Sequence, residues 1–151
     1  MQIIKDQQII DNTWQYIADD QPLPATGDIT VSLTRWQQEK TQLLQRNTPL
    51  GVRLEPSDSA YALENDLQHL ALIEVNFPIY TAGQGFSHAR LLRGRYKFKG
   101  EIRAVGQFIV DQVYYLSRVG VNGFALENPK QLEFALLTLD DFSASYQVYS
   151  A

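Results

Sequence analysis

The chain has 151 residues, 44% of them hydrophobic, and a net charge of −4. That suits one domain with a proper core, and the acidic balance argues against general nucleic-acid binding. No cysteine is present, which excludes disulfides, thiol nucleophiles, cysteine-held iron–sulfur clusters and ordinary structural zinc sites.

Met1 to Leu23 carries Asp6, Asp11, Asp19 and Asp20 and has no apolar signal core. No apolar run approaches the roughly 20 residues of a membrane helix. A cytoplasmic protein is expected, with neither membrane nor nucleic acid as partner. Ile3-Ile4, Ile9-Ile10 and Trp14 to Ile17 read as short strands of a small antiparallel appendage. Asp19-Asp20-Gln21-Pro22-Leu23-Pro24 reads as a linker, so residues 1–24 form the appendage and its tether.

From Gly27 onward strands alternate with helices. Ile29 to Leu33 is a β-rich run. Thr34 and Gln37 fit a capping box, opening a helix to about Arg46. A strand over Leu50 to Leu54 precedes a helix over Ser57 to Leu70. A strand over Leu72 to Val75 precedes a helix over Phe86 to Arg95. A strand over Glu101 to Val105 precedes a helix over Phe108 to Arg118, with Gly120 as its C′ stop. A strand over Gly123 to Leu126 precedes a helix capped by Asn128, with Pro129 in first position, running to about Leu139. Asp140 to Ala151 is a polar and aromatic tail.

Residues 27–139 therefore give five βα units, and short links between them imply a parallel sheet in one α/β domain spanning 1–151. An open doubly wound sheet and a partial (β/α) barrel both fit. Either places ligands at the carboxyl ends of the strands, at Pro56, Phe77–Gly85, Gly106-Gln107 and Glu127-Asn128. A partial barrel also leaves open sheet edges, which pairing into a homodimer covers.

The segment Phe77 to Arg95 carries the strongest signal. A strand runs into Asn76-Phe77-Pro78, then Gly83-Gln84-Gly85, then a helix with three arginines. Free N–H groups and the dipole at such a helix start attract anions. Phe86 to Arg103 holds six basic residues against Glu101 alone, a net of +5 in a chain of net −4. The anion-binding candidates are Gly83, Gln84, Gly85, Ser87, Arg90, Arg93 and Arg103. Gly83 and Gly85 serve either a turn with positive φ or close approach of a ligand. Ser87 serves either as a helix cap or as an anion donor. Arg90 and Arg93, at i and i+3, share a helix face. Arg103 points away from Ile102 and Ala104 and needs a carboxylate, with Asp111 or Glu74 available. His69 and His88 lack companions at metal-ligand spacing, so no metal site is expected. Tyr114, Tyr115 and Phe124 read as packing aromatics rather than a stacking platform. No cofactor is indicated, and no G-x-G-x-x-G opens the first helix.

Two segments carry a resemblance. One is Phe77-Pro78 with Thr81-x-Gly83-x-Gly85-Phe86-Ser87 and Ala89-Arg90-Leu91-Leu92-Arg93. The other is Arg103-Ala-Val-Gly106 with Asp111-Gln112, Tyr115-Leu116, Arg118-x-Gly120 and Phe124. Together they resemble a bacterial family of uncharacterised proteins encoded beside the sulfite reductase hemoprotein and loosely labelled oxidoreductase. The resemblance spans roughly Gly27 to Leu126. It implies a role around sulfite reduction and sulfur metabolism, with that hemoprotein as partner. The chain is a divergent member: Ala82, Gln84, Gln107 and Val110 stand where the family usually has charges. Keeping shape while losing charge favours an accessory protein that binds a small anion or a partner. The rival expectation is an oxidoreductase-like enzyme that holds a small anionic substrate at the rim.

Overall fold

The computed structural model describes residues 1–140. It contains an eight-stranded sheet with strands β1 (Gln2–Lys5), β2 (Gln8–Asp11), β3 (Trp14–Tyr16), β4 (Asp28–Ser32), β5 (Leu50–Leu54), β6 (Leu72–Phe77), β7 (Glu101–Gly106) and β8 (Gly123–Phe124). Four helices accompany it among the described residues: α1 (Leu33–Leu43), α2 (Gln84–Arg90), α3 (Val113–Arg118) and α4 (132–140). The tail expected from Asp140 lies outside the described residues except for Asp140 itself.

The strand order is β2-β1-β8-β7-β6-β5-β4-β3. From β3 to β8 every neighbour is the next strand in sequence and every pairing is parallel. The order never reverses, which removes the doubly wound alternative. Right-handed crossovers that always step the same way place the connections on one face, as in a barrel. The result is a curled half-barrel.

The sheet is mixed, not purely parallel, and this corrects the expected N-terminal appendage. β1 pairs antiparallel with both β2 and β8, while β3 joins the parallel run beside β4. The N-terminal segment thus supplies three strands of the one sheet. Only Asn12 and Thr13 separate β2 from β3, although these strands are the two edges. Three Cα steps of about 3.8 Å reach roughly 11 Å at most, so the curl must bring the edges together there. Short strands with a weak hairpin pattern show pairing but not partner, which is why the sequence hid this placement.

The main core lies between the helices and one face of the sheet, with Trp36, Leu92, Leu116 and Ala135 packed on Val52, Ile73, Val75, Ile102 and Ala104. The alternate residues face the other way. Val105, Ala125 and Ile3 form a separate small cluster there, beside Glu74, Glu101 and Arg103.

Local signals succeed and fail for definite reasons. Asn128 accepts from Lys130 N at 3.0 Å with Pro129 beside it, as its cap pattern predicts. Gly120 follows α3 with φ of +105°, the left-handed stop its position predicts. The α1 cap is Ser32 rather than Thr34: its Oγ accepts from Arg35 N at 3.0 Å. The helix expected over Ser57 to Leu70 is absent. Two short 3₁₀ turns, Ala60–Leu63 and Leu67–His69, take its place. Ser, Asp and Asn crowd this segment and compete for backbone groups; the Asp58 carboxylate accepts from Glu55 N at 2.8 Å. Asp66 then ties the turns to α1, accepting from Trp36 Nε1 at 2.9 Å and pairing with Lys40 Nζ at 2.8 Å.

Candidate functional site

The arginines predicted for one site occupy three different environments. Arg103 lies on the inner face of β7 and is 1% exposed. Its Nε and Nη2 donate to the two Glu101 carboxylate oxygens at 2.6 and 3.0 Å, and Nη1 donates to Asn12 Oδ1 at 3.0 Å. The expected orientation holds, but the partner is Glu101, not Asp111 or Glu74. Glu74 is taken by Arg53, at 3.1 Å from its Nε, and Arg53 also lies 3.9 Å from the centroid of the Tyr16 ring. Burial pushes the Tyr16 hydroxyl above its ordinary pKa, partly offset by Arg53.

Arg93 is spent on the backbone. Nε donates to Gly120 O at 3.0 Å, Nη1 to Phe98 O at 2.6 Å and Gly100 O at 2.9 Å, and Nη2 to Asn122 Oδ1 at 3.1 Å. It ties the end of α2 to the chain segments leading into β7 and β8. Burial pulls its guanidinium below the ordinary pKa, but the group remains a cation.

Arg90 is different. It is exposed and has no hydrogen bond or ion pair among the described residues. It meets Arg93 at a cavity of about 250 Å³ beside Ser117 and Gly120, as the i, i+3 spacing predicts, and α2 widens just beyond it. Residues Leu91–Arg95 form a π-helical turn closed by Tyr96 N donating to Leu91 O at 3.1 Å. In an α-helix, residues five apart point about 140° away from each other. A turn closed from i to i+5 brings them onto nearly one face. Arg90 and Arg95 therefore open onto the same cavity.

That cavity has a volume of about 730 Å³ and lies between the first 3₁₀ turn and α2. Asp58 and Tyr61 line one wall; Ser87, His88, Arg90 and Arg95 line the other. It exists because the Ser57–Leu70 segment forms shallow turns instead of a helix. Arg95 sits 5.8 Å from the Tyr61 ring centroid and makes no ion pair among the described residues. His88 is buried, with Nε2 3.0 Å from Glu55 O. A carbonyl only accepts, so Nε2 carries a proton; in the neutral ring Nδ1 then holds the lone pair. Arg90 also borders a second cavity of about 750 Å³ toward α3, beside Phe86, Gln112 and Tyr115.

The glycine turn is built differently from expectation. Gly83 has φ of −64° and open space around it, and it supplies no left-handed conformation. Gly85 is helical, and a Cβ there would run into the Phe77 ring, so its role is close helix–strand packing. Ser87 is not the cap; α2 starts at Gln84, and Ser87 faces the cavity. Gln84 is exposed one turn away. The structure thus groups Ser87 and Arg90 at the larger cavity, lets Arg93 meet Arg90 only at a smaller one, and sets Arg103 apart. Sequence reasoning missed Arg95 and Tyr61. The one available signal was Gly94, a poor helix residue inside an arginine-bearing last turn. Among the described residues no group of three or more His, Asp or Glu is placed to hold a metal ion. No helix there is long and apolar enough to cross a membrane.

The fold and site define a mixed α/β half-barrel with a basic groove on its helical side. Residues 51–151, more than half of the chain, match the family described as "Bacterial protein of unknown function (DUF934)", and the protein belongs to that family. The matched span contains both motif segments that carry the sequence resemblance. No curated protein matches the chain.

Proposed function

We propose that this protein acts by binding, holding a small anion in the groove between residues 58–61 and α2, and that it serves as an accessory in sulfite reduction. One observation carries the binding part: Arg90 and Arg95 open onto one cavity with no carboxylate partner among the described residues. Two cations facing one cavity repel each other, and an anion bound between them lowers that cost. Ser87 adds a hydroxyl donor on the same wall. The sulfur-assimilation part rests on the family resemblance of the Phe77–Arg93 and Arg103–Phe124 motifs.

Calorimetric titration of sulfite, sulfate and phosphate into the full chain tests the binding. Saturable binding is expected, weakened about tenfold in Arg90→Gln, equivalent to about 1.4 kcal/mol. No saturable binding of any of the three would overturn the reading. For the accessory role, affinity capture with the sulfite reductase hemoprotein should recover a complex. No capture, together with unchanged reductase activity on deletion, would remove it.

A second reading, an oxidoreductase-like enzyme acting on a small anionic substrate, has one observation in its favour. His88 lies in the wall of the same cavity with its Nε2–H held by the Glu55 carbonyl, so that in the neutral ring Nδ1 can accept a proton. Turnover that disappears in His88→Gln while anion affinity is retained would favour it over pure binding.

A further inference from the structure

We infer that the anion is one end of a larger ligand, an aromatic ring carrying a phosphate or similar oxyanion, with the ring laid against Tyr61. The inference rests on the anion-binding reading of the same groove and adds the ligand's second half.

Size is the first reason. A bare phosphate or sulfite is only a few times the roughly 30 Å³ of a water molecule. The cavity holds about 730 Å³, so such an ion leaves most of it empty. Small-molecule sites of this size are mostly apolar with a few directed polar groups. Ala60, Leu91 and Gly94 supply that apolar surface between the polar residues.

Tyr61 is the second reason. Its ring is 56% exposed although it is large and apolar, and it lines the cavity. Tyr96 packs against it in a T shape at 6.2 Å, and Arg95 lies over the ring 5.8 Å from its centroid. A fixed, exposed aromatic face beside two arginines suits a flat ring with an attached anion.

The π turn is the third reason. It puts Arg95 beside Arg90, and π turns inside helices recur at functional sites. Gly94 within it has negative φ and no atom within 4 Å of where a Cβ would sit. Neither conformation nor protein packing calls for glycine there. An open backbone position in the cavity wall allows close approach by a ligand.

Phenyl phosphate and adenosine monophosphate are the probes, each compared with inorganic phosphate by calorimetry on the full chain. At least one should bind ten or more times tighter than phosphate. Tyr61→Ala should erase that advantage and leave phosphate affinity unchanged. The double variant Arg90→Gln with Arg95→Gln should lose both ring-bearing and inorganic phosphate. If both ring-bearing probes bind no tighter than phosphate, the inference falls while anion binding stands. If phosphate and both probes all fail to bind, anion binding falls with it. Tyr61→Ala binding the probes as well as wild type would also overturn the stacking role.

Discussion

The inner face of the half-barrel and the groove beside α2 are both rich in arginine, yet they do opposite work. Inside, Arg103 is locked to Glu101 and Asn12, and Arg53 to Glu74. Outside, Arg90 and Arg95 face a cavity with no ion pair among the described residues. Charge density along the chain does not separate the two, since three of these four arginines lie within Phe86 to Arg103 or at its end. What separates them is whether the positive charge is already answered. An answered charge holds the fold, and an unanswered one is available for a ligand.

Substitutions can break that contrast from its structural side first. Arg103→Met should cost most, about 3–5 kcal/mol, because it leaves the buried Glu101 carboxylate with only Lys5, 3.9 Å away. Urea unfolding would show it, and a change under about 1 kcal/mol would mean the pair is not structural. Arg93→Met should cost about 2–3 kcal/mol, since it strands the carbonyls of Phe98, Gly100 and Gly120. Gly85→Ala should cost about 1–3 kcal/mol by forcing a methyl against Phe77. Gly94→Ala, with open space around it, should be neutral or slightly stabilising.

Asp66→Ala should cost about 1–2 kcal/mol, because Trp36 Nε1 loses its acceptor. This effect carries a pH signature. Burial alone would raise the Asp66 carboxyl, but hydrogen bonds from Lys40 and Trp36 prevail and hold it below its ordinary pKa. A lowered carboxyl stabilises the fold above its unfolded-state pKa, about 3.9, and that contribution fades as pH falls through the lower folded-state value. Wild type and Asp66→Ala should therefore converge in stability toward strong acid. A gap that widens on acidification would contradict the assignment. The smallest stability effects belong to Arg90→Gln and Arg95→Gln, each within about 0.5 kcal/mol of wild type as exposed, unpaired side chains.

Much of this was legible from the residues. All eight strands fall on or beside the runs that announced them, because period-two burial is a local property. Asn128-Pro129 and Gly120 also read correctly, since caps and stops are decided within a few residues. Global pairing was not legible. Nothing local tells Ile3-Ile4 that its second neighbour is Phe124, far away in sequence. The Ser57–Leu70 segment has helical spacing of its leucines, but Asp58 binds the Glu55 backbone N–H and Asp66 is drawn to Trp36 and Lys40, so short turns form instead.

The candidate site was legible only in part. The i, i+3 rule pairs Arg90 with Arg93, and the two do border one small cavity, but Arg93 is spent on backbone carbonyls and one wide turn brings Arg95 to the larger cavity instead. The Arg103 partner was within reach of the sequence. Glu101 lies two residues away on the same strand face, the shortest same-face spacing a strand offers. Looking across strands and helices for a carboxylate overlooked the one on the same strand.

The contrast between answered and unanswered arginines is tested most directly by titrating phosphate into wild type and into the double variant Arg90→Gln with Arg95→Gln, at equal folded fraction. Saturable binding in wild type and none in the double variant is the predicted result. Unchanged phosphate affinity in the double variant would contradict it.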